Sequence, residues 1–349
     1  MPLKTPIRMG AYEVRARDYV IASVGAESIH GIAYSLGRNA PIGAIIDRLI
    51  APHYLARPIE EPRQLFESAW AAHPTVLTSG LGLRALSIVD LAAWDLAAKL
   101  ANKTMASYLG GKPVPLVEIA LIGYPPDSPP DAIASEVREL HRQGWTRFKM
   151  PIGPTLERTR NRLQAVRDVA GSADLMLDAA WTWRNAPEAA DYVTQLADLG
   201  LGSVEDPFLP GDAANTAALR QAVSTPIAVG DEQGGGYFPD ALLQAKAIDV
   251  LRLDATCSGG VSTFSDLLRR ARESGVRVST HIYHQVHQAL LCGFAESGAT
   301  VECGHGNGID PLSEALLMND GPGFGFSPDL DRVGPHELHD PAGVFSSWS

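Results

Sequence analysis

The 349-residue sequence predicts an α/β fold, in which an α+β N-terminal domain precedes a closed barrel of parallel strands and helices. Three observations carry this. The first part of the chain mixes β-like runs with long helical ones. From residue 113 onward, short apolar runs alternate with helical stretches. Those runs end in ionisable residues spaced 21 to 29 positions apart, about what one strand, one helix and two short loops consume.

Within residues 1–112, Tyr19-Val20-Ile21-Ala22-Ser23-Val24 and Gly31-Ile32-Ala33-Tyr34 read as strands. The stretch from Ser87 to Lys99 spaces its apolar residues as a helix does, and Leu109-Gly110-Gly111 closes the region. Residues 113–325 begin with a strand at Pro115–Ala120. Seven further runs end at Lys149, Asp178, Glu205, Asp231, Asp254, His281 and Glu302. Eight parallel strands in series favour a closed barrel over an open sheet. Residues 326–349 are expected to pack back on the N-terminal domain.

Composition narrows the classes of function. Hydrophobic residues make up 45% and charged residues 20%, a globular balance. The net charge of −11 comes with no run of Lys or Arg, which argues against a nucleic-acid face. No apolar run approaches the ~20 residues of a membrane span, and no secretory signal is visible at the start. Cys257, Cys292 and Cys303 are too few and too scattered for a disulfide framework or a thiolate metal site. These features fit a cytoplasmic location.

A single carboxylate at a strand end is ordinarily a helix cap. Seven consecutive strands ending in ionisable residues are harder to produce by capping, because a β/α barrel turns all of them to one mouth, where its catalytic groups gather. Asp178, Glu205 and Asp231 would bring three anions together on neighbouring strands, which calls for a cation between them. All-carboxylate donors suit Mg²⁺ ahead of Mn²⁺ and disfavour zinc. Glu232 is a rival third ligand, although strand alternation turns it away. Asp254 beside His281 would fix the imidazole tautomer and raise its basicity, making a general base. His284 and His287 read as residues of the following helix. Lys149, across the barrel, would offer positive charge to a substrate carboxylate or to a developing oxyanion.

These motifs resemble the enolase superfamily and, within it, the mandelate racemase subgroup, over nearly the whole chain. Val204-Glu205-Asp206-Pro207, Asp254-Ala255-Thr256-Cys257-Ser258-Gly259-Gly260, Ser279-Thr280-His281 and Glu302 carry the likeness, along with the helix that ends at Leu109-Gly110-Gly111. The resemblance implies a modified (β/α)₇β TIM barrel under an N-terminal capping domain. It also implies Mg²⁺ on Asp178, Glu205 and Asp231, a His281–Asp254 pair, and removal of the proton α to a carboxylate to give an enediolate. A homo-oligomer, often an octamer, is implied as well.

Departures from the subgroup sharpen the expectation. Lys149-Met150-Pro151 stands where its racemases carry a Lys-x-Lys pair, so no second base is evident. That string looks closer to rhamnonate dehydratases, which rely on the His alone. Asp231 stands where that group usually has Glu. The segment Pro2–Arg8 resembles the family's mobile active-site loop with no strand before it, as though the chain began late.

The expected reaction is therefore dehydration of a sugar acid to a 2-keto-3-deoxy acid by a hydro-lyase. His281 would act as base and then as acid, and Glu302 would bind the substrate carboxylate in protonated form or a substrate hydroxyl. Arg8 and Arg38 are candidates for the distal end of the substrate. Alternatives are a racemase or epimerase of a 2-hydroxy acid and a non-catalytic barrel that binds a metal–carboxylate ligand. Cycloisomerases and dipeptide epimerases are disfavoured, because they need lysines on both sides of the barrel.

Overall fold

The computed structural model describes residues 1–9, 12–26, 28–231, 237–304 and 310–328, with the backbone alone for residues 8, 9, 12 and 328. The N-terminal part opens with two antiparallel hairpins. Strand β1 (Pro2–Met9) pairs with β2 (Tyr12–Ala16), and β3 (Tyr19–Ala26) pairs with β4 (Ile29–Leu36). The stretch expected as a mobile loop with no strand before it is thus itself a strand. Leu3 and Ile7 are buried while Lys4, Thr5 and Pro6 between them are exposed, so two apolar anchors hold a strand whose register shifts between Pro2 and Ile7.

Helices α1 (Ile42–Ile45), α2 (Ala51–Tyr54), α3 (Pro62–Ala72), α4 (Gly80–Leu100) and α5 (Met105–Tyr108) follow. The long α4 packs on β3 and β4 and on a barrel helix, so its residues are apolar nearly all round.

Eight parallel strands then close into a barrel: β5 (Val117–Leu121), β6 (Arg147–Pro151), β7 (Asp174–Asp178), β8 (Ser203–Glu205), β9 (Ile227–Val229), β10 (Val250–Leu253), β11 (Arg277–Thr280) and β12 (Thr300–Cys303). Between them run α6 (Pro130–Arg142), α7 (Leu156–Val169), α8 (Ala186–Thr194), α9 (Ala213–Ala222), α10 (Tyr237–Gln244), α11 (Gly260–Glu273) and α12 (His284–Gly293). Seven helices between eight strands make the (β/α)₇β barrel that the sequence predicts. A small hairpin, β13 (Leu316–Met318) with β14 (Phe326–Pro328), comes last. It leans on the N-terminal part through the Phe326 ring against Tyr34 and through Gly323 O, which accepts from Met105 N. Residues 329–349 of the expected C-terminal segment lie outside the described residues.

The Gly259-Gly260 pair shows why two glycines follow β10. Both have positive φ, +105° and +63°, and a Cβ on Gly260 would meet Asp90 Oδ2 of α4 at 2.3 Å. Asp90 accepts from both the Ser262 amide (3.0 Å) and the Ser262 hydroxyl (2.6 Å), and Ser87 Oγ accepts from Gly259 N (2.8 Å). The N-terminal part is thereby fastened beside the end of β10. Among the described residues no helix is long and apolar enough to cross a membrane.

Candidate active site

Strand register decides which side chains meet. Asp178 stands opposite Glu205, and Lys149 stands opposite Met176, one layer deeper than Asp178. Lys149, Asp178, Glu205, Asp231, His281 and Glu302 all line one pocket at the C-terminal ends of the strands. Asp254 is buried behind His281. The seven strand-end residues picked out in the sequence therefore share one barrel mouth.

Two cations organise the carboxylates. Lys149 Nζ lies 2.6 Å from Glu205 Oε1, 2.5 Å from Glu302 Oε1 and 3.4 Å from Asp178 Oδ2. Arg252, only 1% exposed, sits across from it. Its Nη2 donates to Glu302 Oε1 at 2.7 Å and reaches Asp231 Oδ2 at 3.4 Å, and its Nε lies 3.0 Å from Glu205 Oε2. On its other side Nη1 donates to Ser279 Oγ (2.6 Å) and Thr280 O (3.0 Å). Burial alone would raise the Glu302 pKa, but Arg252 and then Lys149 outweigh it and hold the carboxyl at about 2. Glu302 is thus an anion in this arrangement, and the expected protonated role does not fit it. Burial alone would lower Lys149, but Glu205, Glu302 and Asp178 hold its ammonium well above the usual lysine range. In this arrangement Lys149 is held positively charged.

On the other side of the mouth, His281 Nδ1 is 3.1 Å from Asp254 Oδ2. Burial would raise Asp254, but the hydrogen bond and charge of His281 bring it to about 2. Its second oxygen, Oδ1, accepts from Thr256 N at 2.8 Å. An ionised carboxylate fixed by its own following backbone can hold an imidazole with its far nitrogen turned to the pocket, the arrangement of a general base.

The donor chemistry of Asp178, Glu205 and Asp231 fits magnesium, since it consists of carboxylate oxygens with no thiolate or imidazole among them. Charge gives a second test. Burial raises Glu205 to about 8 despite Arg252 and Lys149, so with Glu302 three ionised carboxylates face two cations, and a divalent ion would displace the Glu205 proton on binding. Asp206 adds a further carboxyl, which burial and then Asp231 and Glu205 push well above the usual range, so that it holds a proton against Asp231. As placed, however, the oxygens turn to Lys149 and Arg252. Among the described residues no group of three or more His, Cys, Asp or Glu could hold a metal ion without rearranging.

Arg38 lines the same pocket from an exposed turn with φ +57°. The side chain of Arg8, and Glu232 altogether, lie outside the described residues. The sequence reading gave no role to several residues found here. Arg252 lies two positions before Asp254, a spacing that puts both on one strand face, and that spacing was the available signal. Asp206 enters the pocket because its φ of +45° breaks the alternation that would turn it away. Trp181 donates to Asp206 Oδ2 at 3.0 Å, and Arg17 lines the pocket from the turn before β3. No pattern in the sequence flags these last two.

Residues 1–110 match the family described as "Mandelate racemase / muconate lactonizing enzyme, N-terminal domain", and residues 132–332 match "Enolase C-terminal domain-like". The D-galactarolactone cycloisomerase of Agrobacterium fabrum is 26% identical, covering 97% of this chain and 96% of its own. The L-talarate/galactarate dehydratase of Salmonella typhimurium is also 26% identical, over 81% of this chain and 69% of its own. The crystal structure of L-talarate dehydratase from Polaromonas sp. JS666, complexed with Mg and L-glucarate, superposes with a TM-score of 0.81 at 25% identity, covering 94% of this chain and 92% of its own. With both domain families matched along most of its length, this chain belongs to the enolase superfamily and carries the paired domains of its mandelate racemase and muconate lactonizing enzyme members.

Proposed function

We propose that the protein dehydrates a sugar acid, removing the proton α to the carboxylate and expelling the hydroxyl at the next carbon to give a 2-keto-3-deoxy acid. The observation that carries this reading is the one-sided distribution of proton chemistry. His281, backed by Asp254, is the base on one side of the pocket, while Lys149 on the other side is engaged by three carboxylates.

His281 takes the C2 proton, and the electron pair moves toward the substrate carboxylate. The C3–O bond then breaks as the imidazolium returns its proton to the departing hydroxyl, releasing water and an enol that becomes the 2-keto acid. Lys149 and Arg252 supply fixed positive charge behind the carboxylates. Asp178, Glu205 and Asp231 would hold Mg²⁺, which when bound supplies Lewis-acid stabilisation of the developing negative charge. A magnesium complex with a sugar diacid in a structural relative supports the same assignment.

One further reading has its own support. A relative matching 97% of the chain is a cycloisomerase. Such an activity would share the proton abstraction and differ in the bond broken afterwards.

The test is a screen of the purified protein with Mg²⁺ against mono- and diacid sugars, scored as semicarbazide-reactive 2-keto acid. A chelator-sensitive hit should fall by roughly 10²- to 10⁴-fold in His281→Asn, the range for losing a general base. Ring opening of a lactone without 2-keto acid would favour the cycloisomerase. If the His281→Asn protein kept full activity, the base assignment would be wrong.

A further inference from the structure

His287 sits on α12, one and a half turns beyond His281, and is fully buried. The reaction gives it nothing to do, yet its ring has two fixed partners. The Ala255 amide donates to Nε2 at 3.0 Å, and Nδ1 lies 2.7 Å from the carbonyl oxygen of Ile282. A backbone N–H can only donate and a carbonyl can only accept, so Nδ1 carries the proton and Nε2 the lone pair. Ala255 directly follows Asp254, and Ile282 directly follows His281. The ring therefore spans the gap between the backbones just beyond the two members of the base pair.

The backbone ladder between the two strands stops at His281 N, which donates to Leu253 O at 2.9 Å, and among the described residues the ring is the next link beyond it. β10 ends at Leu253 and β11 at Thr280, one residue short of Asp254 and of His281. Beyond that point Ile282 and Tyr283 take φ of +28° and +43°. For a β-branched residue this is a strained backbone, which persists only where its surroundings over-determine it. Glu302 Oε2 accepts from Ile282 N (3.2 Å), the Tyr283 hydroxyl accepts from Leu36 N (2.9 Å), and His287 holds Ile282 O. Of these three braces, only His287 also grips the Asp254 strand. Phe264 stacks on its ring at 6.1 Å and fixes its plane.

We propose that His287 is a positioning residue, a neutral clamp that sets the distance and angle between Asp254 and His281. This rests on the reading of those two residues as the base pair, and its test is chosen to fail separately from that reading.

The readout is carbethoxylation of His281 by diethyl pyrocarbonate against pH, followed by peptide mass spectrometry, which needs no substrate. Asp254→Asn should lower the pH of half-reaction by about one unit, the size of losing a neighbouring charge. His287→Phe keeps the stacked ring and removes both bonds. It should lower that pH by roughly half as much or more, and the double variant should move no further than Asp254→Asn alone. His287→Gln, whose amide can give and accept at the two points, should restore the wild-type profile. An unchanged His281 profile in folded His287→Phe, or additive shifts in the double variant, would overturn the clamp and leave the base pair standing. Conversely, His281→Asn with full activity would sink the base assignment alone. Should His287→Phe fail to fold, the ¹⁵N spectrum of histidine-labelled wild-type protein decides. A proton on Nδ1 and none on Nε2 down to pH 5 supports the clamp, and the opposite tautomer overturns it.

Discussion

The two halves of the barrel mouth are held by different means. On the carboxylate half, around β6 to β9, the anions are gathered by two long side chains, Lys149 and Arg252, and Asp178 also accepts from Ala180 N at 3.0 Å. On the base half, around β10 and β11, backbone partners recur beside the His281–Asp254 bond: Thr256 N on Asp254, and Ala255 N and Ile282 O on His287. The difference follows from the tasks proposed for each half. Side chains that must turn from an internal cation to a divalent one need flexible partners. A proton acceptor must be placed to within a few tenths of an ångström, where a misplacement of 1 Å costs on the order of 10²-fold in rate.

Removing Arg252 should break the carboxylate half most strongly. Arg252→Met leaves Glu205, Asp231 and Glu302 short of a buried partner, a loss worth about 3–5 kcal/mol and on the order of 10 °C in Tm. Because the missing positive charge lies among carboxylates that fit a divalent ion, millimolar Mg²⁺ should return most of that loss, as read by calorimetry with and without chelator. The same addition should return none of the loss in His287→Phe. Equal rescue of both variants, or of neither, would erase the distinction between the halves.

The comparison also separates what the sequence shows from what it hides. Strand ends were legible at residue level, because an apolar run closed by a charge marks both the strand and its rim, and register carries the rest. Asp178, Glu205, Asp231, Asp254, His281 and Glu302 were found in this way. Partners that reach across the barrel were not. Arg252 could be placed on the face of Asp254, but not shown to extend to Glu205 on another strand. Asp206 was given no role, and its left-handed backbone breaks the alternation that would turn it away from the pocket. The N-terminal strand was read through a family likeness as a loop, because Leu3 and Ile7, its two buried anchors, are separated by three exposed residues and show no alternation. His287 fell to the ordinary expectation for a helix, since its two partners lie on different loops.

Acid titration sharpens the base half by a smaller amount. Burial lowers His287 to about 4, against the pull of Asp254, with His281 and Arg252 as the nearby cations. The unfolded chain takes up a proton as pH falls through about 6.5, whereas the folded one does so only near 4. The stability contributed by the neutral ring is therefore complete above 6.5 and is lost on acidification down to about 4, by roughly 3 kcal/mol. Denaturant unfolding of wild type and His287→Gln across this window should show a shallower slope in the variant. Parallel slopes would mean that the ring is not held neutral.

The smallest effect belongs to the outer edge of the pocket, which neither half controls. Arg38 is exposed on a left-handed turn that Asp18 ties down through the amides of Gly37 (2.9 Å) and Asn39 (2.7 Å). Arg17 is less free to adapt, because Met1 pins its backbone on both sides, by N to O at 2.9 Å and O to N at 2.7 Å, and its Nε is buried without a partner among the described residues. Both line the pocket from the N-terminal part of the chain. If they meet the distal part of the substrate, Arg38→Met should raise KM roughly twofold to fivefold, as for a solvent-exposed ion pair, and leave kcat unchanged. Arg17→Met should raise KM further, since a partner for its buried Nε would have to come from the substrate itself. A fall in kcat in either variant would place that arginine with the base half instead, where displacement rather than lost binding is what slows the reaction.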